Sequence, residues 1–67
     1  MNSRLLKSKM TLHGDTQADL AEALGTTRSN MNGKINAYKY IFQPREIAII
    51  KERYNLTDEE VQAIFFN

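Results

Sequence analysis

The chain has no cysteine at any of its 67 positions, which excludes both a disulfide framework and a zinc–thiolate site. Stability must therefore come from apolar packing and helix caps, and a thiol-free chain suits a reducing cytoplasm. No run of about 18 apolar residues occurs, so no membrane span is expected. Met1 to Met10 carries Arg4, Lys7 and Lys9 where a signal peptide would have its apolar centre. The expectation is a soluble, unexported cytoplasmic protein. The single histidine, His13, has neither a second histidine nor a cysteine to complete a metal site. A nucleophile would need an oriented base, and no histidine lies within readable reach of Ser3, Ser8 or Ser29. Hence no enzyme, metal or cofactor is expected, and the chain has no room for a separate small-molecule ligand domain. Strand patterns, internal repeats, low-complexity segments and linkers are absent too. A domain this small buries only about 60% of the surface its unfolded chain exposes. One domain over residues 1–67, with a small core made by several short elements, follows.

What is present is a succession of helix starts and stops. Asn2 or Ser3 can cap a first helix whose Leu5, Leu6 and Met10 face inward, and His13-Gly14 ends it. Asp15 or Thr16 opens a second helix, Gln17 to Leu24, with Leu20, Ala21 and Leu24 on one buried face. Gly25 stops it, because glycine enters a left-handed cap without steric cost. Thr27 can cap a third helix that runs to about Asn36, with Met31 and Ile35 inward. Residues 37 to 43 read as a loop in which Phe42 plugs the core while Tyr38 and Lys39 stay outside. Gln43 precedes Pro44 at a first helical position, and Glu46 favours the dipole. This fourth helix should reach about Tyr54, with Ile47, Ile50 and Tyr54 inward. Thr57 with Glu60 matches a capping box for a fifth helix that turns Val61, Ile64 and Phe65 inward. Asp58, Glu59 and Glu60 then serve the positive end of that helix dipole. The fold expected is all-α, a compact bundle of about five short helices.

The net charge of +1 hides an asymmetry. Residues 1–40 hold six Lys/Arg against three acids, giving +3, and residues 41–67 hold three against five, giving −2. A polyanion would face the positive half. That half contains Gln17 to Met31, where the small Ala21, the Gly25 turn and the apolar positions describe two short helices locked at a steep angle. The exposed residues opening the second of them are Thr27, Arg28, Ser29 and Asn30. Arg can donate two hydrogen bonds to guanine, and Asn can pair with adenine in the major groove.

This stretch resembles the helix-turn-helix of phage repressor and Cro-type regulators. From Leu5 to Ile64-Phe65-Phe66 the layout is similar to short prophage repressor-like proteins of Gram-positive bacteria. The resemblance implies a lambda-repressor-like fold that binds double-stranded DNA and regulates transcription, with repression by occupying an operator as the leading form. It implies that Gln17 touches a phosphate or supports the recognition helix, that Arg28, Ser29 and Asn30 face bases, and that Lys34 approaches the backbone. Thr27 starts the reading helix, Asn32 is a further base or phosphate contact, and Lys39 adds to the basic field. Three positions depart from the family pattern. Gly33 sits inside the recognition helix at a cost of about 0.5 to 1 kcal/mol relative to alanine, Ala37 stands where a glycine often ends that helix, and Thr26 is polar where an aliphatic residue is usual.

Ile49 and Phe66 are not required by the inward stripes. Two readings of them stand open: thickening of the core, or a homodimer contact through the C-terminal helices that would let a twofold pair read a palindrome. The alternative to DNA binding is a small helical protein-interaction module that modulates another regulator, since a fold does not fix its partner.

Overall fold

The computed structural model describes residues 1–36 and 42–66. Within them the chain forms α1 (Ser3–Leu12), α2 (Gln17–Leu24), α3 (Arg28–Ile35), α4 (Pro44–Arg53) and α5 (Asp58–Phe65), with no strand. The all-helical architecture is the one expected, and its boundaries follow from side-chain chemistry. Asn2 caps α1 by accepting from Leu5 N–H. Thr16 with Asp19, and Thr57 with Glu60, close reciprocal capping boxes at α2 and α5. At α4, Pro44 takes the first turn and the Glu46 carboxylate accepts from Gln43 N–H at 2.8 Å.

One kind of turn ends three of the helices. Gly14 and Gly25 adopt left-handed φ values of 70° and 71° after α1 and α2, and Asn55 adopts 50° after α4. In each case the left-handed residue and its successor donate N–H groups back into the last helical turn: Gly25 to Glu22 and Thr26 to Ala21, Asn55 to Glu52 and Leu56 to Lys51. Carbonyls that the helix leaves without partners are thereby satisfied. After the third of these turns, Leu56 is buried.

Every helix contributes to the core. Leu6, Leu20, Met31, Ile35, Ile50 and Ile64 are fully enclosed, and Met10, Ala21, Leu24, Phe42, Tyr54 and Leu56 complete it. Leu5, Ile47, Ile49, Val61 and Phe65 pack around its edge, half-buried. Phe42 does plug the core, meeting Phe65 edge-on with ring centroids 5.5 Å apart. Ile49 thickens the core, whereas Phe66 stays 62% exposed.

Packing between helices places the two ends of the molecule. α2 packs most extensively on α3, and both α1 and α4 pack on α5. Asn2 N–H donates to Ile64 C=O at 2.7 Å, and Lys9 forms an ion pair with Glu60, so α1 is fixed to α5 along its length. Ser3 Oγ donates to Ile35 C=O, which ties the start of α1 to the end of α3. No helix among the described residues is long and apolar enough to cross a membrane.

Candidate nucleic-acid interface

α2 and α3 are separated only by Gly25, Thr26 and Thr27. Ala21, the smallest core side chain of α2, is buried beside them, and Met31 and Ile35 anchor α3 from below. Thr27 caps α3 through its hydroxyl, which accepts from Asn30 N–H at 3.1 Å. The inward positions of α3 are 31, 33 and 35, and Arg28, Ser29 and Asn32 are left exposed on its outer side.

Four of the residues singled out in the sequence come together there. Gln17 from the first turn of α2, with Arg28, Ser29 and Asn32 from α3, line one open depression of about 630 Å³. Arg28, Ser29 and Asn32 are exposed and Gln17 is half-buried. Among the described residues, no side-chain hydrogen bond or ion pair engages Gln17, Arg28 or Ser29. Hydrogen-bonding capacity gathered in one concavity and left unused by the fold is capacity for a polar ligand.

The other candidates are placed differently. Thr27 is spent as a cap. Asn30 is half-buried and turns back, its Nδ2 donating to Thr26 Oγ1 at 3.3 Å. That bond gives the polar Thr26 hydroxyl a partner. Lys34 turns inward. Its ammonium lies 2.9 Å from Glu46 Oε1 and 5.7 Å from the centre of the Phe42 ring, with its side chain 11% exposed and that of Glu46 6%. Lys34 is thus committed to α4 instead of to solvent, because the carboxylate that starts α4 lies buried beside it. Lys39, Tyr38, Tyr40 and Ala37 lie outside the described residues.

One residue that sequence reasoning passed over belongs with the site. Asn36, at the end of α3, donates through Nδ2 both to Asn32 C=O at 2.9 Å and to Asn32 Oδ1 at 3.0 Å. The signal was present as two asparagines four apart, a spacing at which helical side chains meet.

Electrostatics divide the surface. Burial alone would raise the Glu46 carboxyl, but the Gln43 N–H and the Lys34 ammonium, aided by the charge on Arg45, overcome it and hold Glu46 below the usual glutamate range. On the far side, Arg53 reaches Asp15 through two nitrogens at 2.6 and 2.9 Å. This contact pulls Asp15 below its ordinary value against the effect of burial, with help from the Tyr54 hydroxyl at 2.7 Å and the field of His13. Burial and the bond to Asp15 push the Tyr54 hydroxyl up, so it remains a donor. His13, expected as a plain loop residue, stacks on the Tyr54 ring at 5.1 Å. Lys51 pairs with Asp58. Lys9, Lys34, Lys51 and Arg53 are therefore neutralised within the fold, while Arg28 is not. No group of three or more His, Cys, Asp or Glu among the described residues is arranged to hold a metal ion.

Comparison with protein-family models, with curated proteins and with solved structures finds no significant match for the chain.

Proposed function

We propose that the chain is a non-enzymatic, sequence-specific binder of double-stranded DNA that regulates transcription as a repressor of the phage type, with α2 and α3 acting as a helix-turn-helix. The observation that carries this reading is the convergence of Gln17, Arg28, Ser29 and Asn32 on one open depression. A recognition helix presents its N-terminal side chains to base edges while the preceding helix meets the backbone. Arg28 and Ser29 occupy the first turn of α3, and Gln17 begins α2. The unpaired guanidinium of Arg28 suits the O6 and N7 acceptors of guanine.

The contact set is narrower than the sequence implied. Arg28, Ser29 and Asn32 are the base-facing residues, Gln17 is the phosphate or supporting contact, and Lys34 and Asn30 hold α3 in place. Homodimerisation belongs to the same proposal. A twofold pair would read two half-sites about one DNA turn apart, and the exposed Phe66, not the core-packed Ile49, is the residue available for that contact.

The test is selection of bound duplexes from a randomised pool at low and moderate salt, repeated with Arg28→Ala. The expected result is an enriched motif, palindromic for a dimer, of which Arg28→Ala relaxes one position at a cost of about 1 to 3 kcal/mol. Retention of no duplex even at low salt would remove DNA as the partner and leave a protein-interaction role. Equal losses on specific and random duplexes would leave binding without base reading.

A further inference from the structure

We infer that Asn36 is a specificity-determining positioning residue, which turns the amide of Asn32 so that the outer face of α3 offers its ligand hydrogen-bond donors. The inference rests on the DNA reading above and names which base edge that face accepts. The two arms of a carboxamide are not equivalent: the oxygen accepts and the nitrogen donates. Asn36 Nδ2 holds Asn32 Oδ1 at 3.0 Å, so the oxygen arm is directed toward the end of α3. The amino arm is the one left for the depression that Asn32 lines with Arg28, one helical turn away.

Capping does not account for this arrangement. Asn32 C=O already accepts from Asn36 backbone N–H at 3.0 Å and from Asn36 Nδ2 at 2.9 Å. The additional bond to Oδ1 satisfies no helix-end carbonyl. Its effect is on the orientation of Asn32, an exposed side chain that would otherwise be free to turn over.

The consequence for recognition follows from the major-groove pattern. A free asparagine favours adenine because it can accept from N6 while donating to N7, whereas guanine offers two acceptors, N7 and O6. With its oxygen turned toward Asn36, Asn32 no longer directs an acceptor at adenine N6 and keeps its donating arm outward. Arg28 carries donors only. Together they form a surface that selects acceptors: guanine over adenine opposite Asn32, and cytosine, which presents its N4 donor there, least of all.

The experiment compares duplex selection by the native chain with selection by Asn36→Ala and by Asn36→Asp. Asn32→Ala marks the base position concerned by flattening it. The native chain should prefer guanine to adenine at that position. Asn36→Ala frees the Asn32 oxygen and should shift the ratio toward adenine by about tenfold, within the range of a good bidentate pair. Asn36→Asp has nearly the same shape but nothing to donate, so it attracts the amino arm instead. It should move the preference the same way even though its charge weakens binding overall. Thermal unfolding followed by helical circular dichroism checks that α3 survives in each variant. A motif unchanged by both substitutions, or a loss of affinity equal for all bases, would reduce Asn36 to a cap and overturn the inference while leaving DNA binding intact. Failure of the native chain to retain any duplex would instead overturn the reading on which it rests.

Discussion

The α2–α3 face and the surface where α1 and α4 meet α5 use their polar side chains in opposite ways. Across the second region, charges pair between elements: Lys9 with Glu60, 51 residues away, Arg53 with Asp15, 38 residues away, and Lys51 with Asp58 on the next helix. On the first, Gln17, Arg28 and Ser29 make no such contacts among the described residues. The ion pairs hold the fold together, whereas Gln17, Arg28 and Ser29 leave their polar groups uncommitted. Lys34 marks the boundary. It belongs to the same helix as Arg28 and Asn32, yet it fastens that helix to Glu46.

The largest effect expected from breaking this division is at the boundary. Glu46→Ala removes an acid paired with a nearly enclosed ammonium and the carboxylate that accepts from Gln43 N–H. Removing one member of a buried ion pair is strongly destabilising, at a cost of about 3 kcal/mol. Chemical denaturation should show that loss. Alanine at Gln17, Arg28 or Ser29, by contrast, should change stability by no more than about 0.5 kcal/mol. Comparable destabilisation by the two kinds of substitution would erase the distinction between the regions.

What the sequence made legible was local. Thr16, Thr27, Thr57 and Pro44 announce helix starts at short range, and Gly25 announces a stop, so the five helices are readable from spacing, whereas the place of Gln17 beside the start of α3 came only from the resemblance. Asn55 was not, because asparagine is also an ordinary polar residue and only its positive φ reveals the turn. The inward course of Lys34 was hidden for a different reason. Its position near the end of a basic helix suits a phosphate contact, and the acid that captures it lies twelve residues on, in the first turn of α4. Charge counted along the chain gave +3 to residues 1–40, but Lys9 and Lys34 spend their charge on acids of the other half. The asymmetry is real in sequence and smaller at the surface.

A second, smaller effect should come from the network around Asp15. Its carboxyl is held below the ordinary value of 3.8 by the Arg53 guanidinium first and by the Tyr54 hydroxyl after the opposing effect of burial. A folded value below the unfolded one means the contribution is complete above about pH 4 and is lost as pH falls through the lowered folded value. Asp15→Asn keeps the shape and removes the charge. It should cost about 1 to 2 kcal/mol at neutral pH, the scale of charge-assisted hydrogen bonds reduced by the screening of an Arg53 side chain more than a third exposed. Denaturation measured at pH 7 and at pH 3 should show a smaller pH dependence in the variant than in the native chain. An equal loss of stability on acidification in both would mean that Asp15 contributes nothing to the acid response.

The smallest effects sharpen the comparison at the level of the backbone, since each region contains the same left-handed turn made by a different residue. Gly25 makes it between α2 and α3, and Asn55 makes it between α4 and α5. A Cβ added at Gly25 would meet nothing within 4 Å, so Gly25→Ala measures the conformational penalty alone, about 1 kcal/mol for an L-residue forced into that region. Asparagine already bears part of this penalty. Asn55→Ala should therefore cost somewhat less than Gly25→Ala. Asn55→Gly should come out within a few tenths of a kcal/mol of the native chain, because the relief of the backbone is offset by the greater freedom glycine gives the unfolded state. Urea denaturation of the three variants orders them directly. If Asn55→Ala proved as harmless as an ordinary surface substitution, the left-handed conformation at position 55 would not be what ends α4, and the two turns would owe their shape to different causes.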